Sequence, residues 1–580
     1  MGKFDLRPGS FSPLLADSPA PRGRGPGASA SVGQERPHPR ARVRVDSAGS
    51  GAIAPFPPDT QPREPALKAR TSCRLPFWLP LALAGCIPDG GSVSSDFAWD
   101  PAVLAARDGV YVRLPAAGRL VRVQTDGSSA EVDLNGASPD TLTLVPGGDT
   151  VLVHASWPIC DTTHKNVKYV SDCPDDDLSY GHELDLVQDG VVVGTTTEVP
   201  HQFNAMTFNA DASLAVAFLD FESSDEIDVS GVLNLTEAVF IDMGNAEVHR
   251  VPVGFAPENV LFTASGDRAV VLSRSQVAVV DLGTWAVVVT YPLTLDADQQ
   301  VTPTDVALTP DGSYALVTTY GSEDLYVLDL VAESIDIVEL DGVPSDLMVD
   351  TANDRTLIVY GNTAQVDVLE HAYFETEAFE LDEPCSAIAA AGSDSLLFNP
   401  NSNYHDVYRF NVATGSLDEY RAENPVEEMF ISADNTTAVA TTRPESGGGG
   451  ASGFYDDYYG LNVFDLVNDS TPAALALESE PVGVQLISTD GVNAAFVLLN
   501  GLDELVQVDL ATGSSSSLEL PAPPVGITAI PDGPFVVSHQ SALGLISFYD
   551  VASDSFVTAS NFATLGLYGE RELPRTEVSE

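Results

Sequence analysis

Lysine is nearly missing from this chain: four among 580 residues, at positions 3, 68, 165 and 168. Basic residues number 27 in all against 84 acidic ones, a formal charge of −57. That balance excludes nucleic-acid binding as a main activity, because phosphate contacts need a surplus of Lys and Arg. Long apolar runs are missing too. No stretch reaches the roughly twenty residues that a membrane-spanning helix needs. Methionine is scarce at five, while 40 Pro and 46 Gly suit strands and turns better than helical bundles. Catalytic signatures are also missing: there is no Gly-x-Ser-x-Gly elbow, no His-Glu-x-x-His and no phosphate loop. Apolar residues, by contrast, make up an ordinary 44% of the chain, which argues against disorder across its length. A length of 580 residues implies two or three domains, unless a repeat builds one large one.

Residues 1–66 are rich in Pro, Arg, Gly and Ala with no apolar period, and read as a disordered leader. Then come Lys68-Ala69-Arg70-Thr71-Ser72-Cys73-Arg74, a short apolar stretch over 75–85, and Cys86. Basic flank, apolar stretch and small residues before a boundary are the parts of a secretory signal, here 67–85. Leu83-Ala84-Gly85-Cys86 resembles the bacterial lipobox. The resemblance implies a lipidated Cys86 as the mature N-terminus, membrane attachment through that lipid, a flexible tether over 86–97, and a place in the cell envelope. The signal begins near residue 67 rather than at Met1, and no Met lies between Met1 and Cys86. The expected start is therefore Leu67. Leu-Ala-Gly-Cys inside a buried Ala-rich helix is the competing reading.

From residue 98 to 569 the chain repeats. The unit is clearest in VALTPDGSYALVTT, DLYVLDL and SIDIVEL: strand, tight turn, strand, loop, alternating strand ending near Asp, last strand. An acidic turn residue recurs at Asp108, Asp149, Asp211, Asp267, Asp311, Asp354, Asp394, Asp434, Asp490 and Asp532. The third strand recurs as RLVRVQ, ELDLVQ, AVFIDM, VAVVDL, LYVLDL, VDVLEH, VYRFNV, LNVFDL, LVQVDL and LISFYD. Four short strands per unit of about 42 residues match a propeller blade, whose two apolar faces must be buried by neighbours. The expected fold is all-β, a β-propeller of four-stranded antiparallel blades, followed by a polar tail over 570–580. Both series count ten units, more than the usual four to eight blades, so the expectation for the ring is seven to ten. A sandwich pair or a β-helix are the competing folds.

The Pro-Asp-Gly turn and the Val-x-Asp-Leu strand ending resemble the YVTN/lactonase-like and quinoprotein-like propeller repeats. WD40-type repeats fit less well, since Trp99-Asp100 is the single Trp-Asp pair. Quinone-holding propellers use a Trp in each blade, and beyond Cys86 only Trp99, Trp157 and Trp285 remain, so no quinone is expected.

Successive turns are 41, 62, 56, 44, 43, 40, 40, 56 and 42 residues apart. The three long gaps hold insertions between second and third strands, over 154–181, 219–236 and 441–460. In an antiparallel meander those connections share one end, so all three should emerge on one face, where binding loops on rigid scaffolds gather. Tolerated surface loops without a role are the alternative.

The first insertion holds Cys160 and Cys173 with His154, His164 and His182 nearby. In an exported chain the pair reads as a disulfide; a zinc site would need thiolates and imidazoles to converge, and no Cys-x-x-Cys is present. Asp175-Asp176-Asp177 could hold Ca2+ through carboxylate oxygens. The run lacks the Asp-x-Asp-x-Asp-Gly spacing of a calcium loop, and a solvated acidic loop is simpler. The third insertion joins a Gly run to Phe454, Tyr455, Asp456, Asp457, Tyr458 and Tyr459, aromatics suited to anchoring a partner or stacking on a sugar ring, or equally to folding back on the propeller surface. Cys385 reads as buried filler.

No cofactor is expected, and an enzymatic role is less favoured than a binding one. The first reading is a lipid-anchored binding protein that holds a protein or glycan on the inserted-loop face. The second is an exported lactonase-like hydrolase with a divalent cation at the channel mouth. The third is a structural surface lipoprotein. The charge divides accordingly: residues 1–85 carry 12 basic and 6 acidic side chains, the remainder 15 and 78. The part beyond the signal is the acidic solvent face of the propeller.

Overall fold

The computed structural model describes residues 103–562, apart from 115–117, 161–172, 174–177, 200–202, 221–234, 275, 295–300, 401–402, 445–456, 469–471, 490–491, 541–543 and 561. The leader, the lipobox with Cys86, the tether, the polar tail, Asp175, Asp176 and Asp177, and Phe454, Tyr455 and Asp456 lie outside the described residues. Among the described residues no helix is long and apolar enough to cross a membrane.

Forty strands form ten four-stranded sheets, each a simple up-and-down meander of consecutive strands. The ten blades span 103–132, 138–199, 205–252, 257–292, 303–339, 346–380, 387–421, 426–477, 481–519 and 526–559. The repeat units counted from the turn and third-strand series are these ten blades.

Successive side chains of a strand point to opposite faces, and both faces of a blade meet a neighbour. In the second strand of blade 4, Arg268–Ser273, Ala269 and Val271 enter the core shared with blade 3. Val270 and Leu272 enter the core shared with blade 5. The central strands are therefore continuous apolar runs rather than alternating ones. The same arrangement recurs around the ring, giving one hydrophobic cluster at each of ten seams. Fourth strands lie outermost and take the charge: Glu375–Glu380 exposes Glu375, Glu377 and Glu380.

Ring closure uses no exchanged strand, because blade 1 is built wholly from the beginning of the ring sequence and blade 10 wholly from its end. Val110, Val112 and Val123 of blade 1 pack on Val537, Ile546 and Phe548 of blade 10, with Phe562 joining the same core.

Several of the acids at strand ends and turns cap the reversals. Between third and fourth strands, Asp329 Oδ1 accepts the amides of Val331 and Ala332, and Asp465 Oδ1 those of Val467 and Asn468. Between first and second strands, Asp211 accepts from Ser213, and Asp434 from Ser432 and Thr436. Such Asx turns replace backbone partners that a sharp reversal cannot supply. Gly312 sits at φ +67 in one of these turns with Thr263 of the preceding blade 3.2 Å from where a Cβ would stand, so glycine relieves a close contact here, whereas the matching turns of blades 3 and 8 carry Ala212 and Asn435 at φ +56.

Candidate functional face

The three longest connections among the blades each join a second to a third strand. In blade 2 the strands are Val151–Cys160 and Leu178–Gln188, in blade 3 Leu214–Phe218 and Glu237–Asp242, and in blade 8 Thr437–Thr442 and Tyr459–Asp465. These connections share the end of the meander at which first strands begin, so the three insertions leave one face of the ring.

The insertion bounds expected over 154–181 and 441–460 need correction. In blade 2 the ladder continues to Cys160 opposite Leu178, so His154, Cys160 and His182 are strand residues and the connection proper is 161–177. Extended pairing of that length is possible because the hairpin runs past the neighbouring blades' second and third strands, most of which have five or six residues. Cys160 and Cys173 are joined by a disulfide with Cα atoms 5.9 Å apart. In blade 8, Tyr459 opens the third strand opposite Leu477 and packs on the seam with blade 9. Asp457 and Tyr458 precede it, exposed, and the Tyr458 carbonyl accepts Asn424 Nδ2 at 2.7 Å. Cys385 is buried at the seam of blades 6 and 7, and burial pushes its thiol up to about 12.

At the same face, five of the ten innermost strands carry a bulge one or two residues in. The displaced residues are Asp140, Glu258, Thr304, Glu427 and Val482, four of them directly after a proline. Proline has no amide to give to the ladder, and the bulge re-aims the next side chain toward the second strand's end. Blade 4 pairs Glu258 with Arg274, Nε to Oε1 3.2 Å. Blade 8 places Arg443 at 3.9 Å from Glu427, and blade 5 sets Thr304 against Thr318 at 2.8 Å. Neighbouring inner strands add Asp305 and Asp346. Burial holds the carboxyls of Asp305, Asp346 and Glu427 above their ordinary values, and Asp346 adds to the effect at Asp305.

Blade 2 fills its bulge differently. Asp140 accepts Ser156 Oγ at 3.0 Å and lies 3.6 Å from His154 Nδ1. His154, fully buried, stacks on His182 with ring centroids 5.2 Å apart and planes 10° from parallel, and meets Phe203 edge-on. The register explains the convergence: Thr141 lies opposite His154, and Ser156 opposite His182, so all the functional side chains share the face toward blade 3. On the opposite face of the same strand, burial and the nearby Asp185 push the Glu183 carboxyl up to about 7. Both histidines stand out in the sequence, but their meeting with Asp140 does not. The one available signal was Pro139-Asp140, in the place held by Pro257-Glu258 and Pro303-Thr304.

Exposed aromatics favour this face. Of the seven most exposed among the described residues, Tyr180, Phe255, Tyr320, Tyr404 and Tyr458 sit at its strand ends or connections, against Tyr373 on the opposite face and Phe556 on an outer strand. Shallow grooves of about 580 Å³ between blades 2 and 3 and about 480 Å³ between blades 8 and 9 open on the opposite, short-turn face.

No family model matches the chain, and no curated protein matches it. Among solved structures it is similar to a eukaryotic initiation factor structure, at 14% identity over 65% of this chain and 87% of that one, with a TM-score of 0.42. It is also similar to the dihydro-heme d1 dehydrogenase NirN in complex with DHE, at 15% identity over 56% and 71%, TM-score 0.37. A third likeness is the Dos1 propeller, at 10% identity over 57% and 88%, TM-score 0.38. At this level of likeness no activity or ligand passes from them to this chain, whose propeller fold stands on its own ten sheets.

Proposed function

We propose that this chain is an exported, lipid-anchored β-propeller protein that holds a protein or glycan partner on the face from which the insertions of blades 2, 3 and 8 emerge. One observation carries the reading: three independent insertions, in blades that are not all adjacent, leave the ring at the same end. Insertions placed without selection for a shared surface would divide between the two ends. Five of the seven most exposed aromatics gather at that end, and aromatic side chains with one wet edge are the usual anchors of protein and glycan surfaces. The ring beneath is rigid, with ten closed seams, so loop-end residues are held at fixed spacing.

The anchoring part of the reading rests on Leu83-Ala84-Gly85-Cys86 and its basic and apolar flanks. A lipid at Cys86 would tether the ring through residues 86–97, leaving the strongly acidic surface to face solvent. Binding by the purified chain to arrayed bacterial glycans and to envelope protein fractions tests the partner. A chain with Tyr320, Tyr404 and Tyr458 all changed to Ala should lose the partner, and one with Tyr373→Ala should keep it. Equal retention by both would refute the assignment of this face.

A further inference from the structure

The geometry points to a divalent transition-metal site of the zinc class formed by Asp140, His154 and His182, at the foot of the first insertion between blades 2 and 3. One ligand atom from each of the three lies within 4.8 Å of the others. Three contiguous strands supply them: Ser138–Leu144, Val151–Cys160 and Leu178–Gln188. In a tetrahedral site with bonds of about 2.0–2.1 Å, ligand atoms stand about 3.4 Å apart, so side-chain rotations of roughly an ångström close the set without moving a strand. Two imidazole nitrogens and one carboxylate oxygen are a zinc-type donor set, whereas Ca2+ and Mg2+ call for oxygen alone.

A comparison within the ring gives the second reason. The bulge carboxylates of blades 4 and 8 are each met by an arginine, Arg274 or Arg443, from just past the end of the second strand. Register places Ser156 of blade 2 at that position: Ala155 lies opposite Pro139 as Ser273 lies opposite Pro257 and Thr442 opposite Val426. Where those blades carry a fixed positive charge, blade 2 carries a hydroxyl and two imidazoles. A bound dication takes the place of the guanidinium, and it ties the inner strand to the inserted hairpin. Asp140 keeps 23% of its side chain exposed while His154 keeps none, so three protein ligands hold the ion and a fourth position is left for water or for a donor atom from a partner. The site is defined by the ring alone and holds whether or not the chain is exported.

The full chain, purified without a histidine tag and stripped by chelator, is the material for the test. Titration with Zn2+ should load one ion per chain and raise the melting temperature. The Co2+ form should show the strong visible absorption of a tetrahedral site with nitrogen ligands. Asp140→Asn and His182→Gln should each weaken Zn2+ binding roughly tenfold or more, with unchanged far-UV circular dichroism in the presence of chelator. Glu258→Gln, in the matching bulge of blade 4, should leave binding as it is. Two outcomes overturn the site: no stoichiometric Zn2+ uptake by the unsubstituted chain, or equal uptake by Asp140→Asn and His182→Gln. The second would assign the ion to carboxylates elsewhere on the acidic surface.

Discussion

Arg107, in the first turn of blade 1, donates from Nη2 to Asp532 Oδ2 of blade 10 at 2.5 Å, across 425 residues of sequence. From Nη1 it also reaches Asp149 of blade 2 at 2.8 Å, so one guanidinium spans three blades at the point where the ring closes. An exposed ion pair is a weak clasp. Closure therefore depends on the apolar seam beneath it.

Phe548→Ala removes a ring that is 1% exposed from that seam and should cost about 3–5 kcal/mol in denaturant unfolding. Phe556→Ala, on the outer strand of the same blade and 38% exposed, should change stability by about 0.5 kcal/mol or less. Similar effects of the two would show that the first and last blades do not share a core.

Two sets of carboxylates with opposite shifts should give the stability a pH optimum. The turn aspartates Asp211, Asp434 and Asp509 are held below their ordinary values, first by side-chain hydrogen bonds from Ser213, Ser432 and Thr512. Their contribution is present above the unfolded value near 3.9 and is lost as pH falls through the lower folded value. Asp305 and Asp346 are raised by burial, so they oppose folding increasingly as pH rises above the unfolded value. A melting profile from about pH 3 to pH 8 should peak between the two regimes. Asp346→Asn, which keeps an oxygen for the Ile388 amide, should stabilise the fold at high pH and do little at low pH. A melting temperature that rises steadily to pH 8, or an Asp346→Asn variant without effect there, would contradict this account.

Cys385 should resist alkylation. Its thiol is 1% exposed and pushed up to about 12 by burial, so little thiolate exists at pH 8. Iodoacetamide should label it after unfolding and not before; fast labelling of the native chain would show the seam of blades 6 and 7 open.

Cys86→Ser should move the protein from the membrane fraction to the soluble one and abolish incorporation of a clickable fatty acid in a bacterial host. Peptides from residues 1–66 should be missing from the mature protein. Retained membrane attachment in Cys86→Ser would remove the lipid anchor from the proposal.

The blade grammar was legible in the sequence because each mark has a local cause. Asp329 and Asp465 end third strands so that their carboxylates can cap the next turn, and Gly312 stands where a side chain would meet Thr263. The side of the ring taken by the insertions was legible too, since strand parity alone decides it. What stayed hidden depends on register. His154 and His182 are 28 positions apart and look like loop residues until the ladder is followed to Cys160 opposite Leu178. Asp140 meets them only because a bulge after Pro139 turns it. Ring closure was hidden as well, since nothing local in Val110 or Phe548 says that they share one core.

The partner is proposed to sit on the inserted-loop face. Photo-crosslinking tests it most directly, with p-benzoylphenylalanine placed at Tyr320 or Tyr404 on that face and at Tyr373 on the other, all exposed positions. A discrete crosslinked species is expected from the Tyr320 and Tyr404 positions in cells and none from Tyr373. Crosslinking from Tyr373 alone would contradict it.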